Sequence, residues 1–526
     1  MRISRTRAAV AVLVLGAGLA AVSGASLGIR GVPNAQPRVV GQAEPNVLAG
    51  GLTDVERVRG SQPLENPNAV ASFYGYYTST DPMVPLPPST AEAQKSEPDK
   101  NTYLVFKHGL KGADPHYRYG THFLFQGHEG GTNSYFTRVN LDADAAHKVT
   151  FLGAVGNAFV DGSTWNAFAG RLLFTGENAA PEGGVWQATP SYPSTIRKLD
   201  AFGYAGYEGV QTDGAGNVWL VADVGGPKGT TASHARQPNS FVYRFHPLNR
   251  RDLTRGGVLQ ALQVIGKNGQ PIVFHDGQAD ADIMSQAMLD LHTYGNSFAT
   301  RWVTVHDSRA PGGGASFDAN AAAKAAHATP FKRPENGVFR PGVHFRQFAF
   351  TETGDTDALT EAGASHGGFG AIFLVSQSHA SSSHGRLHMV FRGDVAHTGL
   401  DNIAWFSKND VAAVEDAGDT LHEQRNALDS GYLFDVRRAR PSPLRFLAEG
   451  RDASATIDSF LSGASTPGFT NDGDNEITGI HVSDGDPSVG GLLGAKVPHP
   501  WRGGWRVFWT QQHGDNTTFE IVREQR

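Results

Sequence analysis

An imperfect repeat runs through this chain, and it restricts the fold more than any other feature. A short apolar strand leads into a loop rich in acids, amides or glycine, and an aromatic-rich strand follows. The copies are Phe123–Glu129 with Tyr135–Val139, Leu172–Asn178 with Val185–Ala188, and Val218–Asp223 with Phe241–Phe245. Three more are Phe348–Asp355 with Ala371–Val375, Val411–Asp416 with Tyr432–Val436, and Val507–Asp515 with Phe519–Val522. Six hairpins with room for flanking strands predict an all-β fold, a six-bladed β-propeller with loop and helical insertions. The competing arrangement of such hairpins is a pair of β-sandwiches. The even spacing breaks between Phe245 and Phe348, where helices are expected at Asp280–His292 and Ala321–His327 as insertions on one face. The 64 glycines and 28 prolines agree with short strands and many turns.

A second pattern lies one strand before several copies. Asp161-Gly162, Glu208-Gly209, Asp401-Asn402 and Asn475-Glu476 each open a short strand that leads into the repeat. In a propeller the innermost strand of each blade lines the central channel, so these positions converge. Clustered carboxylates repel one another and lose hydration, and a cation is the simplest remedy. Asp, Glu and Asn oxygens suit a hard ion such as calcium. One ion near the axis is therefore expected, approached by Glu208, Glu476 and Asn402. His128, beside Glu129 in a repeat loop, stands out among 21 scattered histidines. A hydrogen-bonded loop histidine is the commoner reading of such a residue.

The chain's start reads as a leader. Arg2, Arg5 and Arg7 precede an apolar run, and Ser23-Gly24-Ala25 ends it, as in a secretory signal over residues 1–25. Residues 26–70 are poor in apolar clusters and read as an extended arm; residues 71–526 read as one propeller domain. Export to the periplasm or medium is expected. The chain has no cysteine, so disulfides and thiolate ligands are excluded. A formal charge of -6, more negative still without the leader's arginines, argues against nucleic-acid binding and for cations. No second apolar run supports a stable membrane anchor, and a monomer is expected. Signatures of metalloproteases, P-loops and serine hydrolases are absent in context.

Several runs resemble the PhoX-type alkaline phosphatases and their relatives. Leu173-Phe174-Thr175-Gly176-Glu177-Asn178 looks like that family's LTCEEN segment, and Tyr207-Glu208-Gly209 like its HEG. Asp401-Asn402 with Glu415-Asp416 looks like its PDN and EDG pair, His128-Glu129 like part of its NHE, and Arg333-Pro334-Glu335-Asn336-Gly337 like its RxEG stretch. Glu476 ahead of Gln512-His513-Gly514 resembles its closing motif. The resemblance spans roughly residues 100 to 520 and implies a six-bladed propeller that holds calcium and iron and cleaves phosphate monoesters. It implies metal ligation by Glu177, Glu208, Glu335, Asn402, Glu415 and Glu476, with Glu415 joining Glu208, Glu476 and Asn402 on the ion near the axis, and a phosphate-holding arginine at Arg333. Arg333 and Glu335, two apart, would share one face of an extended strand. Three positions depart from the pattern: Thr175 stands at the family's cysteine, Gly176 at a glutamate and Gly127 at an asparagine. Without a thiolate, calcium is expected and iron is not. The expected function is hydrolysis of a small phosphate ester; the alternatives are a non-catalytic calcium-stabilised binding propeller and a lactonase-like ester hydrolase.

Overall fold

The computed structural model describes residues 27–39, 42–77, 94–130, 133–230, 235–355, 360–452 and 475–524. The leader expected over residues 1–25 lies outside them. Among the described residues, no helix is long and apolar enough to cross a membrane.

The strands build six antiparallel blades. Blade one is Pro98–Val105, His122–His128, Ser134–Asn140 and Val149–Gly156; blade two is Val160–Asn166, Arg171–Gly176, Gly184–Ala188 and Ile196–Lys198. Blade three is Tyr207–Thr212, Val218–Ala222, Val242–Pro247 and Gly257–Ile265; blade four is Pro334–Phe339, Gln347–Glu352, Ala371–Gln377 and His384–Arg392. Blade five is Leu400–Trp405, Asp410–Glu415, Ser430–Asp435 and Leu444–Ala448. Blade six takes Glu476–Ser483, Arg506–Gln512 and Thr517–Arg523 from the end of the chain and Leu52–Val58 from its beginning. The repeat hairpins are the second and third strands of the six blades. The first strand of each blade packs beside the first strands of its two neighbours, and the last packs beside the first, so the inner strands close a ring.

Hydrogen bonding divides the blades into five sheets rather than six. Phe298–Asp307 pairs with Gly257–Ile265 on one side and with His384–Arg392 on the other, joining blades three and four into one nine-stranded sheet. The long gap in the repeat encodes this bridge, together with short helices at Ala279–Ile283, Gln286–Leu291 and Ala319–Ala325. Ser285 and Asp318 cap the last two, accepting from Met288 N and Ala321 N. A further helix, Gly418–Arg425 in blade five, was not foreseen from the sequence.

The core lies between blades, because the strands carry apolar residues on both faces. Phe136 of blade one stacks on Phe174 of blade two with ring centroids 4.1 Å apart. Trp219 of blade three meets Phe339 and Phe348 of blade four, and Trp509 of blade six packs with Val414 and Phe446 of blade five. The segment read as an arm takes part in the sheets: Leu52–Val58 is blade six's outer strand and Val47–Leu48 extends blade five. Its polar composition reflects edge strands with one wet face.

Candidate metal centre

All six inner strands carry a β-bulge near the same end. In blades one to five the first residue is paired and pairing resumes three residues on: Pro98 then Asn101, Val160 then Ser163, Tyr207 then Val210, Pro334 then Gly337, Leu400 then Ile403. Blade six slips between Ile477 and Gly479. A bulge adds one residue to one strand and re-aims its side chain. In blades one to five the residue after the first pair is a carboxylate: Asp99, Asp161, Glu208, Glu335 and Asp401. In blade six that place holds apolar Ile477, and Glu476 supplies the acid one residue earlier.

A second ring comes from the residues just after each second strand: Glu129, Glu177, Asp223, Thr353, Asp416 and His513. Both rings line one cavity of about 370 Å³ at the mouth of the channel, with Arg333 in its wall. Close blade contact is needed for this convergence. A Cβ on Gly162 would stand 2.1 Å from the Glu208 carbonyl oxygen, and one on Gly209 2.9 Å from Asn336 Cα.

The well is an unfavourable place for so many anions. Burial, reinforced by the neighbouring acids, pushes the carboxyls of Asp99, Asp161, Glu335 and Asp401 well above their ordinary range. Burial likewise raises Asp416, with Glu476 adding to it, and Glu129, with Glu177 adding to it. Asp161 Oδ1 is buried without a hydrogen-bond partner. Glu177, Glu208 and Asp223 each offer an oxygen, and the three lie within 4.8 Å of one another. Such all-oxygen donors fit a hard divalent cation. Arg333 is the well's guanidinium. Its Nη2 lies 2.6 Å from Asp223 Oδ2 and 3.7 Å from Glu335 Oε1, and its Nε donates to Asp223 Oδ2 at 2.9 Å. Burial opposes its charge, but Asp223 and Glu335 raise its affinity for the proton.

Of the residues picked out from the sequence, Glu177, Glu208, Arg333, Glu335 and Glu476 line this cavity. Glu208 and Glu476 come from opposite blades. Arg333 reaches Glu335 from a left-handed backbone, φ +55°, ahead of the strand and not from an extended one. Asn402 lies below the acids and donates to Thr478 O at 2.8 Å. Glu415 points away, accepting from Arg425 Nη1 and Thr398 N, each at 2.9 Å. The four residues expected on one ion are therefore not brought together. His128 is buried, bonded to Thr137 Oγ1 at 2.7 Å and stacked on Tyr135; burial keeps it neutral, in keeping with the commoner reading. Thr175 is buried off the cavity, donating to the carbonyls of Glu208 and Gly162. Asp161 and Asp401 stood in the acidic pattern read from the sequence but not in the ligand set drawn from it, and Asp99, Glu129, Asp223 and Asp416 were missed; Glu129, Asp401 and Asp416 each stand one residue from a residue singled out.

No family model matches the chain, and no curated protein does. Among solved structures, Pseudomonas fluorescens PhoX in complex with vanadate, a transition-state analogue, superposes with TM-score 0.53 at 12% identity, covering 94% of this chain and 98% of that one. A Trichoderma reesei carbohydrate-active enzyme of family AA12 gives TM-score 0.30 at 9% identity, over 93% and 100% of the two chains. The α-L-arabinofuranosidase Arb93A of Fusarium graminearum, bound to an iminosugar inhibitor, gives 0.23 at 9% identity, over 50% and 73%. The first likeness runs nearly end to end in both chains, and what it establishes is architecture: this protein has a PhoX-like propeller fold.

Proposed function

We propose that the protein is an exported, monomeric, calcium-dependent hydrolase of small phosphate monoesters. The observation that carries this reading is the juxtaposition of Glu177, Glu208 and Asp223 within 4.8 Å with Arg333 held on the same Asp223. Cation ligands and a phosphate-binding guanidinium thus meet in one open well. A planar guanidinium suits phosphoryl oxygens, and Asp223 fixes its plane. Glu335, whose carboxyl accepts from Thr353 Oγ1, orients the other side of the guanidinium. Calcium held by the three carboxylates would supply positive charge to polarise the phosphoryl group. A phosphate dianion has no place in this well unless the acids around it are neutralised, so substrate binding depends on prior cation binding. Iron has no role in this reading, because the position that would carry a thiolate is Thr175, engaged by backbone carbonyls.

The bidentate hold of Asp223 on Arg333 also favours a second reading, a binding propeller whose arginine is structural. Hydrolysis of p-nitrophenyl phosphate, with calcium, iron or chelator, separates the two. The expected result is calcium-dependent turnover that falls about 100-fold in Arg333→Ala, the scale of losing one transition-state donor. No turnover above background with any metal, or unchanged turnover in Arg333→Ala, overturns the phosphatase reading.

A further inference from the structure

Below the acid rings, the third residue of each inner strand is Lys100, Gly162, Gly209, Asn336, Asn402 or Thr478. Five are neutral and short, while blade one alone supplies a charge. Lys100 is only 2% exposed, and its ammonium donates to Asn336 Oδ1 at 2.9 Å. Blades one and four stand opposite each other in the ring of inner strands, so this side chain crosses the channel axis. It faces a cavity of about 20 Å³ on the far side, next to His481, whereas the 370 Å³ well opens on the near side. Burial opposes its charge and lowers its pKa to about 8, and the carboxylates of Asp401, Asp161 and Asp99, all of which line the well, act the other way.

We propose that Lys100 is a built-in monovalent counter-ion: its ammonium balances the floor of the well and so sets how many divalent cations the well takes. The proposal rests on the reading that the well binds cations. An ammonium is a compact point charge on a long apolar stem, suited to standing where an ion would otherwise sit. With Lys100 in place, part of the charge of Asp161 and Asp401 is offset at a distance without calcium, and divalent ions are directed to the Glu177, Glu208 and Asp223 side. Removing one member of a buried charge cluster leaves the rest uncompensated. A second divalent ion then restores the balance.

The test compares calcium content per chain, by elemental analysis and calorimetric titration, in the parent and in Lys100→Met, which keeps most of the stem. Lys100→Met is expected to take up about one additional calcium ion and to gain more in melting temperature from calcium than the parent does. A parent that binds no calcium refutes the cation reading of the well. A parent that binds calcium, with the same number in Lys100→Met, refutes the role of Lys100 alone. Lys100→Met/Asp401→Asn removes the ammonium and one carboxylate together. It is expected to melt above Lys100→Met in chelator, or to fold where the single variant does not. Equal or lower stability of the double variant overturns the proposal.

Discussion

Asp161 shows at one residue what the whole well experiences. One of its carboxyl oxygens is buried without a donor, and burial with the charges of Asp401 and Glu177 drives its proton affinity up. A carboxyl whose folded pKa lies above its unfolded value of about 4 binds more protons when folded. Its contribution is fully present below about pH 4 and is lost as pH rises toward the folded value. Metal-free protein should therefore lose stability through Asp99, Asp161, Glu335, Asp401 and Asp416 as pH rises above about 4. His128, His246 and His481 slope the other way, since burial depresses their pKa values. They do so equally with or without cation, so the difference between calcium-loaded and chelated samples isolates the acids. That difference in melting temperature should widen as pH rises. A difference that stays constant across the range would mean that the cation does not offset the charge of these acids.

At the scale of the element, the bulge decides which residues function, and it explains how far the sequence could be read. The hairpins were legible because apolar and aromatic runs such as Phe123–Phe125 and Val507–Trp509 mark strands directly. Glu177 and Glu208 were legible because an acid beside glycine, just after a strand or at the head of one, is conspicuous. The step from Glu415 to Asp416, from Asn402 to Asp401 and from His128 to Glu129 was not. On an inner strand an extra residue flips the alternation of side chains, and on the second strands, which carry no extra residue, the acid sits just past the last strand position; nothing in the local composition marks either place. The nine-stranded sheet was hidden for a different reason: Phe298–Asp307 pairs with a strand far along the chain, His384–Arg392. The bulge itself can be tested at Gly162. Gly162→Ala would press its methyl into the Glu208 carbonyl and push that strand outward. It should destabilise the fold by about 1–3 kcal/mol in urea and weaken calcium uptake along with it. Wild-type stability and affinity in this variant would show that the blades do not need to approach so closely.

At the scale of the molecule, blade six is completed by an outer strand from the other end of the chain. Arg57 and Arg506 both bond the Glu520 carboxylate, at 2.6 and 2.7 Å, pinning that strand in place. Without it, the edge of Thr517–Arg523 is bare and blade six is left with three strands. Deleting residues 27–60 should abolish the single cooperative melt and make blade six the first site of limited proteolysis, and calcium should not rescue either. A truncated protein that melts as sharply as the full chain, with calcium still raising its transition, would show that the ring closes without the strand.

The partners in that closure also impose an order in time. Arg57 and Glu520 are 463 residues apart, so the closing strand is synthesised early and must wait for nearly all of the rest. Contacts of such long separation form late, because the loop they close carries the largest entropy cost. The acids of the well come from every blade, including Glu476 in the last. Until that blade docks, the rings are incomplete and the carboxylates stay hydrated and separate. The centre is thus the final product of folding, and occupancy by a cation reports that the chain has reached its end state.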